Sequence, residues 1–112
     1  MTLKELFDTG EFTLLTPDAP TDRPITGGIC CDLLSWVMAR GSAGMAWITV
    51  QTHMNVVAVA SLHEFACILL AEGCAMPPDV LKKAADEGIA VLSSPRSGYE
   101  LSGMLCALGI GK

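Results

Sequence analysis

Cationic side chains are scarce in this sequence: seven Lys and Arg stand against twelve Asp and Glu, a formal net charge of −5. A domain that grips nucleic acid through phosphates presents a basic face, and seven scattered cations do not build one, so no nucleic acid partner is expected. Paired cysteines are also missing. Cys30, Cys31, Cys67, Cys74 and Cys106 form no CxxC spacing, and an odd, unpaired set reads as reduced thiols in a cytoplasmic protein. Adjacent Cys30 and Cys31 on a strand would point to opposite faces and could not hold one metal, so neither metal nor cofactor is expected. Lys4, Glu5 and Asp8 interrupt the first residues, so no signal-peptide apolar region is read there. Residues 41–62 carry no Asp, Glu, Lys or Arg, which raises the question of a membrane span. Gln51, Thr52, His53 and Asn55 in the middle of that stretch would be unsatisfied in hydrocarbon. A buried strand, a polar turn and an apolar helix are expected instead, with no membrane partner.

What is abundant is apolar surface. Residues of this class make up 51% of 112, enough for a single domain over residues 1–112 with its own core. Such an excess fits a sheet covered on both faces, together with a surface covered by a second copy of the chain. A homodimer is therefore expected.

Along the chain, Thr2 is placed to cap a short helix through Asp8, ended by Gly10. Phe12–Leu15 reads as a strand, and the three prolines among residues 17–24 as a loop. Ile25–Cys30 reads as a strand bent at Gly27-Gly28, after which Asp32 would cap a helix through Arg40. Met45–Val50 is a buried strand. Asn55–Leu62 has strand-like propensity, but the crossover between parallel strands requires a helix. Phe65–Leu70 is a strand, Pro77–Glu87 a helix stopped by Gly88, Ile89–Leu92 a strand, and Tyr99–Leu108 a helix stopped by Gly109. The alternation specifies an α/β fold of three layers, with a mostly parallel sheet of about five strands and helices on both faces.

The segment Asp22-Arg23-Pro24-Ile25-Thr26-Gly27-Gly28, followed by Asp32-Leu33-Leu34-Ser35, resembles the DRTGG domain, similar to the N-terminal domain of HPr kinase/phosphorylase. The stretch from Trp47 to Ala60 resembles it as well, and the likeness runs over residues 13 to 110. Cys31 stands before Asp32 where the family pattern leads one to expect glycine. The resemblance implies a dimerising, regulatory or ligand-sensing domain, found alone or attached to nucleotide-sensing CBS domains. Stand-alone members are often labelled HPr serine kinases, and some accompany hydrogenase systems.

The residues for such a kinase are missing. A phosphate loop needs GxxxxGK followed by Ser or Thr, but Met104 and Leu105 follow Gly98 and Gly103, and Gly111-Lys112 has nothing after it. Ser61, His63 and Glu64 fall on different sides of a helix or its end, and no GxGxxG is present, so the chain is not expected to be an enzyme. Ligands of open parallel sheets bind beyond the carboxyl ends of the strands, where helix N-termini offer unpaired amides. Thr26, Gly27, Gly28, Asp32, Thr52, His53, Asn55 and Arg96 are expected to gather there around a small anionic ligand, a nucleotide or phosphorylated metabolite. Arg96 is the nearby cation able to form a bidentate pair. As caps and turn formers the same residues would need no ligand, and the chain would then be a structural module docking on a protein partner, such as an enzyme complex.

Overall fold

The structure is a computed structural model describing residues 1–111; Lys112 lies outside the described residues. Four parallel strands, β2 (Gly27–Cys30), β3 (Met45–Thr49), β4 (Cys67–Leu70) and β5 (Ala90–Ser93), stand side by side in sequence order. A two-residue strand, β1 (Thr13–Leu14), closes the far side by pairing antiparallel with β5, so the spatial order is β1-β5-β4-β3-β2. Successive crossovers of one hand that always step to the next strand must stay on one face. Helices α2 (Leu34–Arg40), α3 (Met54–His63) and α4 (Pro78–Asp86) accordingly share one core layer, with Val37, Val56, Val57, Val80 and Ala84 packed against Trp47, Ile68 and Val91. Helices α1 (Leu3–Phe7) and α5 (Gly98–Ala107) cover the opposite face, where Leu3, Leu6, Leu101 and Leu105 meet Ala46, Ile48, Leu69 and Leu92. The α/β architecture of three layers read from the alternation is the one observed.

Strands β4 and β5 are apolar along nearly their whole length because both faces are covered. Helix α3 is apolar on every side for a related reason. Its inner residues reach the sheet, while Ala58 and Leu62 on its outer side remain exposed. Residues 41–62 form β3, a polar turn and α3, and no helix among the described residues is long and apolar enough to cross a membrane.

Several local expectations are corrected. The Asp32 side chain does not cap α2: Leu33 occupies that position without a side-chain bond. Asn55 does not cap α3 either, because His53 does so through its ring nitrogen. The second strand starts at Gly27 rather than Ile25, and Gly27-Gly28 lie in regular register with Met45 and Ala46 instead of forming a bend. Gly98 and Gly103 both lie within α5, so their spacing makes no loop.

Candidate functional site

The DRTGG-like segment knits together the amino end of the sheet. Arg23 donates from Nη1 to the Phe65 carbonyl (3.2 Å), and Thr26 donates from Oγ1 to the Ala43 carbonyl (2.9 Å). Gly44, at φ +83°, lies so close to Thr26 that an added Cβ would sit 2.5 Å from its Oγ1. Gly27 and Gly28 open β2 at this same end. Thr26, Gly27 and Gly28 thus stand at the amino edge, away from the carboxyl edge where a common site was expected. Thr26 anchors the loop, while Gly28 lines a separate hollow of about 190 Å³ under α5 with Ile29, Ser102, Leu105 and Cys106.

The carboxyl edge has two adjoining hollows. The smaller, about 190 Å³, lies among Cys30, Asp32, Thr49, Val50, Glu72 and Gly98. Asp32 binds the neighbouring turn here: its Oδ1 accepts from Thr49 Oγ1 at 2.7 Å and from the Val50 amide at 2.9 Å. Gln51 completes the link, donating from Nε2 to the Asp32 carbonyl (3.2 Å) while its amide donates to Thr49 Oγ1 (3.1 Å). This lashing holds the β3–α3 turn open in one shape.

Val50 also lines the larger hollow, a groove of about 420 Å³ bounded by Gln51, Thr52, His53, Met54, Pro77 and Asp79. The N-termini of α3 and α4 both open onto it. His53 Nδ1 accepts the Asn55 amide at 3.1 Å, so in the neutral ring the proton sits on Nε2 and that nitrogen is a donor. The start of α4 has no side-chain cap. Pro78 has no amide hydrogen, and the Asp79 amide lies too early in the helix for an intrahelical partner. The groove is lined by the His53 ring at the start of α3 and, across from it, by Asp79 of α4, whose carboxylate is able to accept from hydroxyl groups.

Of the eight expected residues, Thr52 and His53 share this groove and Asp32 lies in the hollow beside it. Asn55 is at the same end of α3 but lines an outer groove between α2 and α3. Arg96 follows β5 at the carboxyl edge, but it is engaged: Nε bonds Glu11 at 2.9 Å and Nη1 approaches Glu100 at 3.5 Å. The α5 terminus is occupied as well, by a reciprocal box in which Ser97 and Glu100 bond each other's amides. Gln51 and Asp79 were missed as lining residues. The polar run 51–53 signalled the first; nothing local signalled the second, since the groove joins two separate crossovers.

Other potential chemistry is committed elsewhere. Ser61 donates to Glu87 (3.2 Å), and His63 Nε2 bonds the Met38 carbonyl (3.0 Å), so Ser61, His63 and Glu64 do not assemble. Burial pushes the Cys67 thiol up to about 12, which keeps it protonated. Cys30 and Cys31 point to opposite faces, the first toward Gly98 of α5 and the second into the α2–α4 layer. No group of three metal-ligating side chains occurs among the described residues.

No family model matches the chain, and no curated protein matches it. A solved structure does: the CBS and DRTGG domains of the regulatory region of Clostridium perfringens pyrophosphatase, complexed with the activator diadenosine tetraphosphate. The TM-score is 0.68 at 12% identity, over 93% of this chain and 45% of that one. The fold is DRTGG-like. At that identity the likeness concerns architecture, and this chain spans less than half of the matched chain. The DRTGG-like segment at residues 22–28 then has a definite structural task in this fold, which is to hold the amino edge through Arg23, Thr26 and Gly44.

Proposed function

We propose that this chain is a non-catalytic regulatory module of the DRTGG type, which binds a small anionic ligand at the carboxyl edge of its sheet and acts as a homodimer. The observation that carries the reading is the groove of about 420 Å³ in which the His53 ring, its Nδ1 held by the Asn55 amide, lines the wall beside the uncapped start of α4. Its size suits a mononucleotide or a phosphorylated metabolite. The anion would meet His53 Nε2 and the Asp79 amide, while a ribose-like hydroxyl would donate to the Asp79 carboxylate. Asp32, Thr52 and Gln51 shape the turn that carries His53. A solved neighbour from a regulatory region complexed with a nucleotide activator is consistent with this reading. Arg96 would join the ligand only by leaving Glu11, and the same ligand would not reach Thr26, Gly27 or Gly28.

A thermal-shift series with ATP, ADP, diadenosine tetraphosphate and inorganic phosphate tests the proposal. A ligand at a hundred times its Kd stabilises the native state by about 2.7 kcal/mol, which raises the melting temperature by roughly ten degrees or more in a domain of this size. His53→Ala should abolish that rise without lowering the unliganded melting temperature by more than a few degrees. A flat response to the whole series would favour the second reading, a module that docks on an enzyme complex and takes no metabolite. The wide exposure of Tyr99 on α5 is the observation that favours that alternative.

A further inference from the structure

The two adjoining hollows of the carboxyl edge make opposite demands on what fills them. Val50 lines both, so they are continuous. The larger, beside His53, is the one that takes the anion in the proposed function. The smaller, about 190 Å³, is lined by two carboxylates, Asp32 and Glu72, and otherwise by apolar groups, among them Ile48, Ala71 and Gly98. Both bonds of the Asp32 side chain to the β3–α3 turn use Oδ1, and Oδ2 has no partner among the described residues. Glu72 makes no ion pair among them either. Its amide donates to the Arg96 carbonyl at 2.8 Å, but the Arg96 guanidinium goes to Glu11 and Glu100 instead. Two carboxylates without a cation repel an anion and accept hydrogen bonds. A ligand with its anionic end at His53 can therefore extend past Val50 only as a neutral or cationic part that carries N–H groups. The apolar lining narrows the choice, because an ammonium group gains nothing from it whereas a flat ring buries its face there. Among nucleobases guanine meets these demands best: its N1–H and N2–H groups stand side by side on one edge and can give a carboxylate two parallel bonds. Adenine presents on that edge one amino group beside an acceptor nitrogen, which a carboxylate repels.

We infer that the smaller hollow is a base subsite and that the ligand of this edge is a guanine nucleotide, with its phosphates at His53 and its base bonded to Asp32 Oδ2 and Glu72. This rests on the anion groove of the proposed function and specifies what fills it. Isothermal titration of the full chain with GDP, ADP and inorganic pyrophosphate tests it. GDP should bind about tenfold or more tightly than ADP, since the wrong base leaves the carboxylates without donors. Glu72→Gln keeps the backbone bonds that hold its turn, from Glu72 to Arg96 and from Gly73 to Ser94. It should weaken GDP by about tenfold and leave pyrophosphate no weaker, because the charge removed is a repulsive one. Asp32→Asn retains an acceptor for the turn and should act in the same way; should it not fold, Glu72→Gln decides. His53→Ala should remove binding of all three ligands. Pyrophosphate binding with equal affinity for GDP and ADP, or GDP binding indifferent to Glu72→Gln, overturns the base subsite and leaves the anion groove standing. No binding of any of the three overturns both.

Discussion

Thr49 and Asp32, seventeen residues apart, are joined by a 2.7 Å hydrogen bond from the threonine hydroxyl to Asp32 Oδ1, across the carboxyl ends of β2 and β3. The same oxygen accepts the Val50 amide, so one carboxylate fixes the turn that presents His53. Asp32→Ala leaves a nearly inaccessible Thr49 hydroxyl and an amide without their acceptor. A loss of about 1.5–3 kcal/mol is expected, measured as a shift in urea midpoint. Asp32→Asn keeps an acceptor at Oδ1 and should lose clearly less. Equal losses for the two would mean that the charge, rather than the bond, is what matters.

Gly28 of the motif and Gly44, which packs against Thr26, separate by position. A Cβ on Gly28 would lie 3.5 Å from Leu105 Cδ1 and 3.6 Å from the Ala46 carbonyl oxygen, which is ordinary contact. Gly28→Ala is expected to hold stability or gain up to about 1 kcal/mol, since alanine loses less backbone entropy in a strand. Gly44→Ala is the opposite case: φ is +83° and Thr26 Oγ1 would be 2.5 Å away. It should cost more than about 1 kcal/mol, and thermal unfolding of the two variants side by side checks the contrast.

Acid should destabilise the fold from a definite point. Hydrogen bonds from Thr2 and Ser97 hold the Glu5 and Glu100 carboxyls below the ordinary value of 4.5, and the Lys83 ammonium beside Glu87 does the same there. Depressed carboxyls contribute stability that is complete above their unfolded pKa and is lost as pH falls through the folded one. Urea midpoints should be flat from neutrality to about pH 5 and decline below 4.5, the ordinary value. Added salt should weaken the Lys83–Glu87 part, because that pair is exposed. A decline that starts near pH 6 would contradict the assignment to these carboxyls.

Thiol chemistry offers a readout of global opening. Cys30 and Cys106 are exposed, whereas Cys67 is fully buried with its thiol pushed up to about 12. Native protein at neutral pH should be alkylated at Cys30 and Cys106, with Cys67 modified only in denaturant, as mass mapping of the peptides would reveal. Fast native labelling of Cys67 would mean that the centre of the sheet opens locally.

The layers and strand sequence were legible because they follow from pattern. Alternating apolar strands and helices with glycine stops leave little choice of topology, and even the ambiguous valine-rich segment at 55–62 is settled by the need for a crossover. The site was less legible, for geometric reasons. A strand rises about 3.3 Å per residue, so Gly27 and Gly28, at the start of β2 instead of at a bend near its carboxyl end, stand the length of the strand away from that edge. Asn55 is a better cap by residue type than His53, but the turn held by Asp32 delivers His53 first. Arg96 reads as a free cation in sequence because its partner, Glu11, is 85 residues away. Local pattern does not tell the two tryptophans apart: Trp47 has the core position, fully buried with its indole N–H on the Cys31 carbonyl at 2.8 Å, whereas Trp36 is 51% exposed.

The ligand proposed here is a small anion bound between the starts of α3 and α4. Amide NMR spectra of the isotopically labelled chain, titrated with ATP and with inorganic phosphate, locate any binding directly. Saturable shifts concentrated at Gln51, Thr52, His53 and Asp79 are expected, and they should be lost in His53→Ala. Shifts centred on Thr26, Gly27 and Gly28 at the other edge, or none at millimolar ATP, would contradict that placement.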